Sequence, residues 1–374
     1  MELNERENNN EREDIEYLQK ELENTHYDLY RDVDKDIFTN SLEKASNTEP
    51  KYFKLAIQES LALLRDAHTH VSGMCNNEPP ILECREIEGG IYIIGATENH
   101  TNLIGEEIKG INGHPVSDVV SKVSKLSSNE NREVLLKDIP LYIASPLILS
   151  YYGFGSEDSV RVTTNIGSTD ILKRKGEKIK TRNPLEWKES ELEDPTFLGN
   201  RDYRLRIINN TLLFQYNNCT NEGHTIEELK SFKRDLLEIA KRVEKIVVDL
   251  RQNSGGNTHV MEDLFLKLPE DKKFYVAIGR KTFSSAMHHL LYLREKKSAV
   301  LIGENAGQKP NRFGDCKEIV LPNSKTEISC SYKYFELLPG QDIDVIEPEI
   351  RIPITIEDYK RERDPLNKWI EKNI

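Results

Sequence analysis

Apolar positions along the chain change spacing twice, and each change marks a change of architecture. From residue 14 to 65 they recur every three or four residues. Ile15, Leu18 and Leu22 share one helical face, and Ile37, Phe38 and Leu42 share another. Asp34 stands where an N-cap is needed for the second of these helices. PKYFKLAIQESLALLR predicts a third helix over 50–65. A helical region over 13–75 follows, preceded by a charged, Asn-rich stretch, 1–12, that reads as a disordered tail.

Between about 76 and 173 the pattern turns to β-rich. ILECREI and GIYIIGA are joined at Glu88-Gly89-Gly90 and predict a hairpin. LIGEEIKGINGHPVSDVV reads as a short strand, an Asn112-Gly113 turn and a helix from Pro115. Residues 129–137 read as helical, and SVRVTTNIGSTDILK as another hairpin. Residues 174–200 are polar and aperiodic, which predicts a linker or long surface loop.

From 201 to 374 the pattern is α/β. A hairpin pivots on Asn209-Asn210, and IEELKSFKRDLLEIAKRV is an amphipathic helix. IVVDL, FYVAI and SAVLI are short apolar runs of the kind that fill the middle of a parallel sheet. A late hairpin turns at Pro322-Asn323-Ser324, and the tail is mostly helical. The fold class expected is a multidomain α+β protein whose C-terminal part is α/β.

Composition narrows the partners. Of 374 residues 37% are hydrophobic and 31% charged, and the net charge is −12. That balance argues against nucleic acid and against anionic membrane surfaces. No apolar run approaches the ~20 residues of a membrane span, and the N-terminus carries no apolar signal core. The expectation is a cytoplasmic protein, unless a leader has been removed. Five cysteines (Cys75, Cys84, Cys219, Cys316 and Cys330) at irregular spacing suggest neither a disulfide framework nor a zinc site. Cys219 reads as a small buried hydrophobe, with a reactive thiol as its alternative.

Two segments carry candidate chemistry. IVVDLRQNSGGN ends a strand in Gly255 and Gly256. FYVAIGRKTFSSAM ends a strand in Ser284 and Ser285, at the head of a helix. A hydroxyl beside unsatisfied amides at strand ends suits acyl transfer, which needs a nucleophile and oxyanion donors. The bland readings are that Thr282 or Ser284 caps the helix and that the glycines form an ordinary turn. Lys309 and His68 are candidate bases. His288 and His289 lie on the serine helix, where packing or solvent is the ordinary reading. Asp66, His68 and His70 are spaced by two and could supply three metal ligands, but no second ligand cluster accompanies them. No metal and no cofactor are called.

Together these segments resemble the S41 serine peptidases, the C-terminal-processing or tail-specific protease family. IVVDLRQNSGGN resembles its oxyanion segment and TFSSAM its nucleophile segment. VLIGENAGQKPNRFG resembles the segment after the next strand, and LLRDAHTHV the aspartate–histidine motif of the tricorn-like branch. The resemblance implies a ClpP/crotonase-like catalytic core and a PDZ-like module over 76–173. It implies Ser284 as nucleophile, with the amides of Gly255, Gly256 and Ser285 around the oxyanion. Lys309 lies 25 positions after Ser284, where processing-protease relatives carry their base. His68 matches the base of tricorn-like relatives, which a late acid supports; Asp342, Asp344 and Glu347 are the candidates here. Met287 stands where a glutamate is common in processing proteases. Both bases stay open, with His68 favoured. Gly89, Gly90 and Ile91 would form a carboxylate-binding loop for a peptide C-terminus, or a plain hairpin turn. The expected activity is serine endopeptidase on polypeptides or peptides. The alternatives are a non-catalytic binder of peptides or apolar ligands, and a serine hydrolase of other esters or amides. The sequence does not give the oligomeric state.

Overall fold

The computed structural model describes residues 2–74, 81–172, 178–185, 198–199 and 202–374, with the side chains of 2–9 and 198–199 left aside. Cys75 and most of the expected linker over 174–200 lie outside the described residues. The chain divides into two compact units. One comprises 1–182 with 311–339, the other 183–310 with 340–374.

The first unit opens with helices α1 (Glu2–Thr25), α2 (Lys35–Ala45) and α3 (Phe53–Leu61). Asp34 caps α2 as expected, accepting from the Asp36 and Ile37 amides. The expected disordered tail is instead the beginning of α1. The helix is held at Asp14, whose buried carboxylate accepts the Asn323 and Ser324 amides at 2.8 Å each. Those partners are some 300 residues away in sequence, so local composition could not reveal them.

A short strand β1 (His70–Val71) follows, then the hairpin β2 (Leu82–Ile87) and β3 (Gly90–Thr97). The chain continues through β4 (Gly110–Ile111), β5 (His114–Pro115), α4 (Val116–Val123), α5 (Arg132–Tyr142) and α6 (Pro146–Tyr151). Strands β6 (Ser159–Thr164), β7 (Gly167–Leu172) and β8 (Ile179–Thr181) complete this part. Strand β8 pairs with β3, so part of the expected linker belongs to a sheet. Ile93, Ile111, Val123, Leu149 and Val162 are among the buried residues of one core here.

The carboxylate-loop expectation for Gly89, Gly90 and Ile91 fails. Glu88 (φ 52°) and Gly89 (φ 88°) form a tight hairpin turn with both residues left-handed, as hairpin twist favours. The Gly89 amide donates to Glu86 Oε1 at 2.6 Å, and Gly90 and Ile91 are paired with Ile87 and Glu86 in the β2–β3 ladder. This is the plain hairpin turn.

Among its described residues the second unit is built on a seven-stranded sheet. It contains β9 (Leu198–Gly199), β10 (Tyr203–Ile208), β11 (Thr211–Tyr216), β12 (Lys245–Asp249), β13 (Lys273–Ile278) and β14 (Val300–Gly303). Strands β11 to β14 run parallel, and β10 is antiparallel to β11 and β9. Helices α7 (Ile226–Ala240), α8 (His259–Lys267) and α9 (Ser285–Lys296) cross between them. Phe214 packs against Phe232 of α7 and Phe265 of α8, and Tyr216 against His289 of α9.

After β14 the chain returns to the first unit as one long hairpin, β15 (Asn311–Val320) and β16 (Glu327–Glu336). The expectation of one catalytic domain over 201–374 is corrected at this point. Ile319, Leu321, Ile328 and Cys330 join a core with Leu18, Leu22, Phe38, Leu42, Ile57 and Val71. Their alternation fits any half-buried sheet, so sequence did not say which unit they complete. The second unit then closes with β17 (Ile350–Arg351), parallel to β14, and with α10 (Ile356–Arg361) and α11 (Pro365–Asn373). Leu366 and Ile370 of α11 cover Leu213, Val247 and Ile302 of the sheet. Asp364, the α11 N-cap, also reaches Arg251 in a buried Asp249–Arg251–Asp364 triad, with both ion pairs at 2.7 Å.

Candidate active site

Strands β12 and β13 are parallel neighbours, so their C-terminal ends open at one edge of the sheet. Open α/β sheets place sites there. The turn after β12 runs through Arg251–Gly256, and the turn after β13 runs through Gly279–Ser284.

Ser284 has φ 53° and ψ −119°, a backbone conformation that a residue with a side chain adopts only under strain. Its side chain makes no cap hydrogen bond. Thr282 does not cap α9 either. Its hydroxyl accepts from the Gly279 amide at 3.0 Å and donates to the Leu250 carbonyl at 2.8 Å. Both helix-cap readings are therefore excluded by geometry. Thr282 ties the β13 turn to the β12 turn, and the Phe283 amide adds a bond to the Asn253 carbonyl at 3.1 Å.

Gly255 has φ 102°, and its Cα lies directly against the serine turn. A Cβ there would stand 2.6 Å from Ser284 Cβ and 3.0 Å from the Ser285 nitrogen. The missing side chain leaves open the space that both groups border. Gly256 (φ 123°) is also required to be glycine, because a Cβ would press on the Cys219 carbonyl at 2.4 Å.

The amides divide differently from the sequence expectation. The Gly255 N–H donates to Asn253 Oδ1 at 2.9 Å, so it is committed. The Ser284 N–H donates to Gln308 Oε1 at 2.7 Å. The N–H groups of Gly256 and Ser285 have no acceptor among the described residues. Of the three expected donors, two are available and Gly255 instead supplies clearance.

Ser285 is buried, and its hydroxyl donates to the Gly256 carbonyl at 2.5 Å and accepts from Thr258 Oγ1 at 2.9 Å. It is a brace between α9 and the glycine loop. Ser284, half-buried, is the serine whose hydroxyl has no part in that brace.

Asn253 was not found from sequence. It is fully buried and joins three segments: Nδ2 donates to the Tyr216 carbonyl at 3.0 Å, and Oδ1 accepts from Gly255 and from the Cys219 thiol. Its place between a strand end and a glycine pair was the available signal. Cys219 is buried, and burial pushes its thiol up to about 11, away from the reactive range.

Lys309 lies in the second unit, after β14. Its ammonium pairs with Asp344 at 3.1 Å. Asp342 and Glu347, like Asp344, are exposed. His288 is half-buried, and His289 is buried beside Phe265 and Tyr216, pushed down to about 3 by loss of water.

His68 lies in the first unit, just before β1. Burial lowers it to about 4, the neighbouring Asp66 opposing this and Arg312 adding to it. It is therefore neutral at pH 7. Asp66 is fully buried, accepting from the His68 amide at 2.9 Å and from Thr69 Oγ1 at 2.5 Å, with His26 Nε2 at 3.2 Å. That carboxylate is spent on holding the loop, and Asp66, His68 and His70 do not gather as ligands. Among the described residues no group of three His, Cys, Asp or Glu side chains is placed to hold a metal ion.

No protein-family model and no curated protein sequence matches the chain. Solved structures do. Mature CPAF complexed with lactacystin superposes with a TM-score of 0.64 at 11% identity, covering 98% of both chains. The chain has a fold similar to that of mature CPAF. A serine-to-alanine mutant of CPAF gives 0.65 at 11% identity, covering 98% of this chain and 96% of that one. A candidate peptidase from Parabacteroides merdae ATCC 43184 gives 0.53 at 11%, covering 96% of each. The mixed helix-and-sheet architecture in more than one unit, expected from sequence, is the architecture observed, and it is similar to the fold of these structures. Among the described residues no helix is long and apolar enough to cross a membrane.

Proposed function

We propose that the protein is a serine peptidase with Ser284 as nucleophile. One observation carries the reading. A strained serine heads a helix, and a glycine at 255 leaves clear the space bordered by its Cβ and by the open Ser285 amide. Strain of this kind is kept where the surroundings impose it for a purpose.

In the proposed reaction Ser284 Oγ bonds to the carbonyl carbon of an extended peptide, and its proton passes to the base. The carbonyl oxygen takes the negative charge, facing the Ser285 and Gly256 amides. Such donors are worth about 3 kcal/mol each at the transition state. The C–N bond then breaks, and the amine leaves with the proton. Water hydrolyses the acyl-enzyme by the same steps in reverse order.

A base must be unprotonated before it acts. Burial lowers His68 to about 4 and so keeps it neutral at pH 7, which supports keeping it as the base that the sequence resemblance favours. Lys309 forms an ion pair with Asp344 in the loop after β14.

A fluorophosphonate probe tests the reading directly. Wild type should form a covalent adduct at Ser284 and cleave an unstructured protein substrate. Ser284→Ala should lose both while keeping its circular dichroism spectrum. An Ser284→Ala variant that still cleaves at the wild-type rate refutes the assignment. Absence of any adduct on wild type favours a binding protein on the same fold. Adduct with ester cleavage but no peptide cleavage favours a hydrolase of other acyl groups.

A further inference from the structure

The loop after β14 is built to reach the serine turn. Gly303 (φ 113°) starts it, and the Ala306 amide anchors it on the Ile346 carbonyl at 3.0 Å. The Gly307 amide then donates to the Thr282 carbonyl at 3.0 Å. This contact needs glycine, because a Cβ on residue 307 would fall 1.9 Å from the Arg280 carbonyl oxygen. The close approach delivers the next side chain, Gln308. It is fully buried, and its Oε1 accepts the Ser284 N–H at 2.7 Å.

We infer that Gln308 is a positioning residue, which holds the Ser284 backbone in its strained conformation and thereby aims the hydroxyl. This rests on the reading of Ser284 as the nucleophile. Three facts combine in it. The Ser284 backbone lies where an L-residue is unstable without outside support. Thr282 and Phe283 are fixed on one side by Leu250 and Asn253. On the other side, Gln308 holds the amide of the strained residue itself. Without that acceptor the half-buried Ser284 N–H would lose this hydrogen bond, and the turn could relax toward ordinary helix geometry. The same bond turns the Ser284 amide away from service as an oxyanion donor, leaving that role to Ser285 and Gly256.

Two variants separate shape from hydrogen bonding. Gln308→Met keeps the length and removes the acceptor; Gln308→Glu keeps an acceptor. Two readouts are taken on the full chain: hydrogen exchange at the Ser284 amide, and the rate of fluorophosphonate labelling with kcat and KM on a peptide. In Gln308→Met, exchange at Ser284 should rise about tenfold. Labelling and kcat should fall about 100-fold with KM unchanged. Gln308→Glu should restore both to within about threefold of wild type. Unchanged exchange in Gln308→Met overturns the hold on the amide. Faster exchange with wild-type labelling overturns its role in aiming the hydroxyl. If wild type itself takes no label, the nucleophile reading falls, and faster exchange in Gln308→Met then leaves Gln308 a structural residue only. Should Gln308→Met not fold, Gln308→Asn withdraws the same acceptor by one methylene and takes the same readouts.

Discussion

Gly255 and Ser284 meet backbone to side chain: a methyl group on Gly255 would stand 2.6 Å from Ser284 Cβ. Nothing can be added on the glycine without moving the serine. Gly255→Ala should therefore lower kcat/KM at least about 100-fold. Gly223 provides the control. It also has positive φ, at 74°, but a Cβ there meets nothing within 4 Å. Gly223→Ala should cost stability through backbone strain, about 1 kcal/mol, and leave kcat/KM intact. Equal losses of activity in the two variants would show that strain, not clearance, is what Gly255 provides.

The base can be named from the pH dependence of kcat/KM. With His68 lowered to about 4 by burial, the acid limb should have its midpoint near 4, and activity should persist through pH 5 to 6. A lysine base would place the same limb near or above pH ~7. Lys309→Met should keep at least a third of the wild-type kcat/KM, and His68→Ala should lose about 1,000-fold. The reverse pattern would return the role to Lys309.

Acid stability follows from His68 and His289, both held neutral by burial, at about 4 and about 3. Their folded values lie below the unfolded value of ~6.5, so between these values the unfolded chain binds more protons. The associated stability is complete above pH ~6.5 and is lost as pH falls toward 4, by about 1.4 kcal/mol per pH unit for each histidine. His289→Leu should flatten the urea-denaturation profile by about one histidine's share over this window. A parallel, merely shifted profile would mean that His289 does not titrate there.

The buried triad Asp249–Arg251–Asp364 makes the third kind of prediction. Asp364→Asn keeps the N-cap of α11, which Asn satisfies as well as Asp, but removes one of two carboxylates from a fully buried guanidinium. Breaking such an ion pair should destabilise the protein by about 3 kcal/mol in chemical denaturation. A loss under about 1 kcal/mol would show that Asp249 alone compensates Arg251.

How much of this was legible depended on how local the cause was. The apolar runs of β12, β13 and β14 and the two special turns were plain, because period and glycine content are properties of adjacent residues. Ser284 and Gly255 were both singled out, though Gly255 for its amide, and the structure gives that amide to Asn253. A glycine after a strand carries two meanings, donor and clearance, and only three-dimensional contact separates them. Gly89 and Gly90 were misleading for the same reason, since a tight turn and an anion nest call for the same residues. Asn253 and Gln308 went unseen because an amide side chain announces nothing by type. Each acts on a segment about 20 to 40 residues away. The start of α1 was misread as disordered because what holds it is the turn near Asn323.

The return of β15 and β16 to the first unit has a consequence for how the protein is made. On a ribosome the helices α1–α3 emerge early, with Leu18, Leu22, Phe38 and Leu42 ready to pack. Their partners Ile319, Leu321 and Ile328 come some 260 residues after α3. At about 5–20 residues per second that is a wait of roughly 13 to 50 seconds. During it the N-terminal third presents unfinished apolar surface, while the residues that carry Ser284 are being synthesised. The first unit is thus completed only after the serine turn exists. A nascent chain cut off between α9 and β15 would hold the Ser284 turn without a finished first unit, and it would be a natural client for chaperones.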